Sequence, residues 1–173
     1  MKKWLYFGAA LILYILIHEY FHVILSSVFI EFDKLIWHWY GPEVKFVTPE
    51  GLRTASVKWF LISGTSNFIT LAIGYFLFLT RHYILELKNI HWKNLLYYST
   101  IVFLLFDAVN LSVGPILYGG DALGIAAGLN IKIWIVQVIF GIILLINREL
   151  IVSFMKVFSV KSKNILFRSW RLK

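Results

Sequence analysis

Three residues near the amino terminus have the types and spacing of a metal-dependent hydrolytic site. His18 and His22 are four positions apart and Glu19 lies between them, in the pattern H-E-x-x-H. Positions i and i+4 of a helix differ by about 40°, so both imidazoles share one face and can bind one metal ion. The carboxylate can take the proton of a metal-activated water that attacks a carbonyl. This spacing predicts one zinc ion per chain, with Glu19 as general base; the alternative is a pair of interfacial histidines beside a snorkelling glutamate.

Two neutral histidines leave a zinc ion short of ligands, so a third ligand is expected. The chain has no cysteine, which excludes a thiolate. The remaining candidates are Asp107, Asp121 and, outside the apolar segments, His38. Asp121 is favoured as the ligand, although an aspartate there can also cap the helix that follows. Asp107 can instead pair with or orient a histidine, or serve as a proton-path residue or an intramembrane hydrogen-bonding group.

The composition indicates that a bilayer surrounds the chain. Of its 173 residues, 60% are hydrophobic and only 15% are charged, whereas soluble domains carry about 25% charged residues. The formal charge of +8 comes from basic residues outside the apolar runs. That placement is typical of lipid-facing flanks and topology signals, so it predicts contact with anionic lipid at the basic tail and no nucleic-acid binding.

These patterns predict an all-α polytopic membrane protein with a small membrane-associated β-hairpin at 31–58. The hairpin strands are expected at Leu35–Tyr40 and Leu52–Trp59, between turn signals. The membrane-embedded domain would comprise residues 1–147, followed by a basic amphipathic tail at 148–173. Four apolar runs are long enough to span about 30 Å of hydrocarbon; they lie near 4–26, 59–80, 95–113 and 131–147.

The depths of the polar residues agree with one another. With a rise of 1.5 Å per residue, His18 and His22 lie roughly 22–29 Å from Lys3, deep in the first span. The second span runs back, which places Gly64–Asn67 near the same level, and the third span brings Asn110 there. Asp121 follows shortly after the glycine- and proline-containing break. The unusual polar residues are therefore expected to converge at one depth in the membrane.

In four stretches, the sequence resembles the site-2 protease family of intramembrane zinc metalloproteases. His18–His22 matches the zinc-binding helix of that family. Ser63–Asn67 looks like its G-x-x-N segment, and Asn110–Pro115 resembles the Asn–Pro start of its broken third core helix. Gly120–Ala122 looks like its aspartate ligand, which a glycine usually follows. The four stretches occur in the family's order and mark a three-helix core of roughly residues 4–129, about three quarters of the chain.

That resemblance implies a three-helix metalloprotease core in which His18, His22 and Asp121 hold the zinc ion. Glu19 would be the general base, and Asn110 would hold the substrate or stabilise the oxyanion. The interval from Asn110 to Asp121 is longer here than is usual in the family. Asn110 also has an alternative role, because an amide near a broken helix can satisfy freed backbone groups.

The expected activity is hydrolysis of peptide bonds within or beside the transmembrane segments of membrane proteins. The expected location is the cell membrane, with both termini in the cytoplasm. Of the 17 Lys and Arg residues, 12 fall on the side of the termini, which is the bias of cytoplasmic segments. The alternatives are a metal-binding membrane protein without protease activity, such as an inactive relative or a transporter, and a membrane scaffold.

Overall fold

The computed structural model describes residues 2–39, 41–117, 120–162, 164 and 167. Helices dominate, and a two-stranded antiparallel sheet follows the first helix. In chain order, the elements are α1 (Lys2–Val28), β1 (Phe32–His38), β2 (Gly41–Phe46), α2 (Val57–Leu79), α3 (Arg81–Glu86), α4 (Ile90–Ser112), α5 (Gly114–Leu117), α6 (Asp121–Leu129) and α7 (Ile133–Val157).

Within the described residues, four helices are long and apolar enough to cross a membrane, as the sequence predicts. These helices are α1, α2, α4 and α7, with 23 to 27 residues each. Their outward faces carry large apolar side chains that a bilayer would cover, including Ile12, Phe76, Ile139 and Leu145. An exterior of this kind suits hydrocarbon better than water.

The four long helices alternate in direction, as successive spans of a membrane must. Helices α1 and α4 run parallel, and α2 and α7 run antiparallel to α4. The start of α1 and the end of α7 therefore lie at the same end of the bundle. The contacts that fix these directions are Tyr6–His91 and Tyr14–Phe103 for α1 and α4, Thr70–Asp107 and Gly74–Phe103 for α2 and α4, and Gln137–Ser112 and Asn147–Leu104 for α7 and α4.

The predicted second strand of the hairpin is wrong. The strand that pairs with β1 is β2, in a register that places Leu35 opposite Val44 and Trp37 opposite Pro42. Residues 52–59 instead contain the end of a 3-10 turn and the start of α2. The sequence Gly41-Pro42 indicates a turn, but a proline can also be accommodated near the beginning of an edge strand, where its missing N–H costs no ladder hydrogen bond.

The last span is longer than predicted. Helix α7 does not end at 147 but continues to Val157, so the first part of the predicted tail is helical. The polar residues where α7 passes 147 have partners inside the bundle. Asn147 accepts a hydrogen bond from Tyr75 and donates one to the Leu104 carbonyl, and the buried Arg148 pairs with Glu149. Residues 163, 165, 166 and 168–173 of the tail lie outside the described residues.

Helix α6 packs against α2 through glycines, which allow a close backbone approach. A Cβ at Gly128 would lie 2.2 Å from the Phe60 backbone nitrogen and 2.7 Å from its Cα. At Gly124, a Cβ would lie 1.9 Å from Ser63 Oγ. Any side chain at these positions would push α6 away from α2. Small residues at helix interfaces serve this purpose in membranes, and here they hold the amino-terminal end of α6 near α1.

We expect Gly128→Ala to lower the free energy of unfolding by about 1–3 kcal/mol, because its methyl group would overlap a backbone that cannot turn aside. Thermal unfolding in detergent would measure the change. Gly141→Ala is the matched control, since a Cβ at Gly141 meets nothing within 4 Å, and alanine is the better helix former. Equal stability of the two variants would contradict the close approach of α6 to α2.

Candidate metal centre

Helix α1 presents two imidazoles on one face, one turn apart. The Nε2 atoms of His18 and His22 lie 3.1 Å from each other. Both residues are buried within the bundle, with only 6% and 3% of their surfaces exposed. The i, i+4 spacing places both rings on one side of α1. That side faces α2 and α6, where the rings contact Ser66 and Asp121.

Asp121 reaches the histidines from the first position of α6. Gly120 precedes it with φ 71° and ψ −149°, a backbone conformation that glycine adopts far more readily than other residues. The cap residue of α6 is Gly120, so the alternative role of Asp121 as a helix cap is wrong. The Asp121 carboxylate lies 3.1 Å from His18 Nε2 and 3.2 Å from His22 Nε2.

These three side chains form a buried group that could hold a metal ion. Zinc–ligand bonds of about 2.0–2.1 Å in a tetrahedral site place the ligand atoms about 3.3 Å apart. The two imidazole Nε2 atoms are 3.1 Å apart, and Asp121 faces them with different oxygens, Oδ2 at 3.1 Å from His18 and Oδ1 at 3.2 Å from His22. Two imidazoles and one carboxylate would leave one corner of such a tetrahedron open to a further ligand.

Two polar residues of α2 complete the surroundings of this group. Asn67 Nδ2 donates to Asp121 Oδ2 at 2.9 Å and lies 2.8 Å from the Ser63 carbonyl. Ser66 Oγ lies 3.0 Å from His22 Nε2. Both α2 residues have no exposed surface. The sequence places Asn67 at this level, but it does not predict the contact between Ser66 and a histidine.

Asp107 does not belong to the three-residue group, but it contacts one member of the group, His18. Its carboxylate has no exposed surface and accepts hydrogen bonds from Tyr14 at 2.8 Å and Thr70 at 2.7 Å. Asp107 Oδ1 also lies 3.5 Å from Nδ1 of His18, whose Nε2 faces Asp121. A carboxylate behind a ligating histidine fixes the tautomer and ring orientation. The geometry therefore matches the orienting role for Asp107 and not that of the third ligand.

Glu19 lies between the histidine pair and the hairpin. Its Oε2 accepts a hydrogen bond from the Val44 backbone N–H of β2 at 3.0 Å. The side chain lines a cavity of about 930 Å³ that is also lined by His18, His22 and Asp121. The carboxylate is thus held by one oxygen beside the candidate metal centre, on a surface that a substrate could reach.

The other predicted site residues lie at different distances from the centre. Asn110 also lines the cavity, and its Nδ2 lies 3.4 Å from Asp121 Oδ2. His38 is in the hairpin, where its ring lies 2.7 Å from a Glu43 carboxylate oxygen. The structure therefore brings Asn110 to the candidate centre and places His38 in a separate ion pair.

A buried carboxylate connects the hairpin to α2. Glu31 accepts hydrogen bonds from the Thr48 backbone and hydroxyl, at 3.0 and 3.1 Å, and pairs with the Lys58 ammonium. Burial alone would raise the pKa of Glu31, but these donors outweigh it and hold that pKa below its ordinary value. This pairing holds β2 and the cavity wall near α1.

Comparisons of this chain with protein-family models, with functionally described proteins and with solved structures give no match.

Proposed function

We propose that this chain is an intramembrane zinc metalloprotease that hydrolyses peptide bonds within or beside the transmembrane segments of membrane proteins. One observation carries the proposal: a buried group of His18, His22 and Asp121, with Glu19 next to it on the wall of a cavity. Burying these polar groups among apolar helices costs several kcal/mol unless something compensates. A bound cation would provide that compensation. The resemblance of four sequence stretches to the site-2 protease family supports the same activity.

In this proposal each residue of the site has one task. Two imidazoles and a carboxylate hold the zinc ion, which supplies Lewis-acid chemistry that polarises a peptide carbonyl and activates a water. Glu19 accepts the proton of the attacking water and passes it to the leaving amine. Asn67 and Asp107 fix the orientation of Asp121 and His18. Asn110 donates its amide N–H to the substrate carbonyl oxygen.

The substrate would bind along the edge of β2 that does not pair with β1. The Val44 N–H points away from β1 and donates to Glu19. An unwound peptide added to this edge would pass directly over Glu19 and satisfy its backbone groups by strand pairing. Extended backbone is tolerated at membrane depth only where protein or water satisfies it in this way. In this proposal β2 is therefore the strand that aligns the substrate.

The proposed location is the cell membrane, with both termini in the cytoplasm. Lys and Arg residues are concentrated on the side of the termini, which is the side that positive charge favours in the cytoplasm. The partners in this proposal are a membrane protein with a transmembrane segment and anionic lipid around the basic tail.

Cleavage of model substrates by the purified protein tests this function. Two substrates suit the test, casein as an unstructured chain and a synthetic apolar transmembrane peptide reconstituted in the same detergent. We expect cleavage that stops when 1,10-phenanthroline removes the metal and resumes when zinc is added, because the ion supplies the activated water. Mass spectrometry of the products would identify the bonds cleaved.

A zinc-loaded, folded protein that cleaves neither substrate would contradict the proposed function. Such a protein would instead be a metal-binding membrane protein without protease activity. Cleavage that continues unchanged in the chelator would contradict the assigned chemistry, since a contaminating protease of another class would then be responsible.

A further inference from the structure

Arg53 introduces a cation into the wall of the cavity beside the candidate metal centre. Its guanidinium lies over two aromatic rings, 5.0 Å from the Phe46 centroid and 4.6 Å from the Trp59 centroid. Phe46 also contacts His22, with ring centroids 6.0 Å apart. Trp59 is buried, with 1% of its surface exposed. The arginine is therefore held in place by stacking, and only the Phe46 ring separates it from His22, a proposed zinc ligand.

The hydrogen-bond donors of this guanidinium are unused. Nε is buried without a partner, and no described residue accepts a hydrogen bond from the group. Burial lowers the pKa of Arg53, and the carboxylates of Glu50, Asp121 and Glu31 oppose that change from a distance. An arginine remains protonated at neutral pH in spite of such effects. A charged group whose buried Nε–H has no acceptor is costly, and an incoming anion would remove that cost.

The neighbouring cations differ from Arg53 in being paired. Lys45, which lines the same cavity, forms an ion pair with Glu43. Lys58, whose ammonium lies 5.0 Å from the Trp59 centroid, forms an ion pair with Glu31. Among the described cations named here, Arg53 is thus the one with donors available for a ligand.

We propose that Arg53 is a carboxylate-binding subsite of the cavity and selects peptides that carry a carboxylate near the bond to be cleaved. This inference rests on the proposed function, for which it names the substrate class. The planar guanidinium fork fits a carboxylate with two parallel hydrogen bonds while its faces stay stacked on aromatic rings.

The position of Arg53 relative to α6 determines how close this subsite lies to the candidate metal centre. Arg53 Nη1 lies 3.6 Å from the point that a Cβ of Gly124 would occupy, and Gly124 is one helical turn beyond Asp121. A carboxylate bound there would lie close to the candidate metal centre. The carboxylate can be an acidic side chain or the free carboxyl terminus of a peptide.

Peptide binding to the full-length, zinc-loaded Glu19→Gln variant tests the inference without dependence on turnover. The probes are fluorescent peptides in matched pairs, with one Glu or one Gln at successive positions, each made as the free acid and as the carboxyl-terminal amide. Fluorescence anisotropy gives their dissociation constants. We expect at least one carboxylate-bearing member to bind about tenfold to a hundredfold more tightly than its neutral partner, the usual range for a hydrogen bond to a charged group.

Substitution of Arg53 tests whether this residue causes the preference for carboxylate-bearing peptides. Arg53→Met keeps much of the side-chain volume and should abolish the preference for carboxylates, whereas Arg53→Lys should retain part of it. Lys45→Met is the matched control, since Lys45 is a cation of the same cavity but already has a carboxylate partner. The preference for carboxylate-bearing peptides should remain in this variant. Tighter binding of Glu peptides than of Gln peptides assigns the subsite to acidic side chains. Tighter binding of free-acid peptides than of carboxyl-terminal amides assigns it to the carboxyl terminus.

Equal binding of all charged and neutral partners by the parent protein would overturn the inference, whether or not the Arg53 variants fold. A preference that survives Arg53→Met, or disappears equally in Lys45→Met, would also overturn it. If the carboxylate preference is found but the wild-type protein cleaves none of these peptides, the proposed proteolysis fails while the subsite stands.

Discussion

Glu19→Gln is expected to lower the rate of peptide cleavage by about 10²- to 10⁴-fold, the usual contribution of a general base, while the metal stays bound. Glutamine has nearly the same shape, and its carbonyl oxygen can still accept the hydrogen bond from Val44 N–H. It cannot accept the proton of an attacking water. Cleavage rates measured together with metal content separate these two effects in a single preparation.

Glu43→Gln is the control for this substitution. Glu43 also lines the cavity, but its carboxylate is occupied by Lys45 and His38 in the hairpin. Its loss should change the cleavage rate much less than the loss of Glu19. Cleavage at the wild-type rate by the Glu19→Gln variant would show that Glu19 is not the general base. Equal losses of cleavage rate in both variants would mean that cleavage depends on the negative charge of the cavity and not on Glu19 as a base.

Asp121→Ala is expected to weaken zinc binding by well over a hundredfold and to abolish cleavage. It removes one of three ligands, and the two remaining imidazoles alone complete only half of a tetrahedral shell. Asp107→Asn is the matched comparison, because Asp107 touches His18 but lies behind it. Loss of a group that orients a ligand costs about 10–100-fold in metal affinity, so this variant should rank between wild type and Asp121→Ala.

Competition with a zinc-sensitive dye in detergent would measure the affinities of these proteins. Tyr14 donates to Oδ1 of Asp107 and Thr70 to Oδ2, so asparagine keeps one of these two acceptors, and thermal unfolding in detergent would verify that Asp107→Asn is folded. The opposite ranking, with zinc retained by Asp121→Ala and lost from Asp107→Asn, would make Asp107 the third ligand and contradict the assignment made from the geometry.

The part of the site that lies within one helix could be predicted from sequence because it depends on local geometry alone. The interval of four residues puts His18 and His22 on one face of any helix. The proximity of Asp121 could be anticipated from depth, since alternating spans of known rise place residues at common levels. The same argument places Asn67 at this level, where it donates a hydrogen bond to Asp121.

Contacts set by side-chain packing between helices could not be predicted. Ser66 and Thr70 are ordinary small polar residues of an apolar helix, and only the rotation of α2 about its axis brings them to His22 and Asp107. The hairpin register was missed because Gly41-Pro42 has the composition of a turn while it begins a strand. Arg53 gave no sequence signal, since its stacking depends on where Phe46 lies after the hairpin closes.

The end of α7 was misplaced for a related reason. A run of Asn147, Arg148 and Glu149 is typical of the end of a span when it is considered alone. In the folded chain, Asn147 finds Tyr75 and the Leu104 carbonyl as partners in α2 and α4. Polar residues become compatible with a helix interior once neighbouring helices satisfy them.

The metal content of the purified protein tests the central claim most directly. Elemental analysis of full-length protein, prepared under zinc-replete conditions and shown to be folded in detergent, should give about one zinc ion per chain for the wild type. The His18→Ala variant, purified in the same way, should give close to none. A folded wild-type protein without metal, or equal metal in both proteins, would contradict the claim that His18, His22 and Asp121 hold a zinc ion.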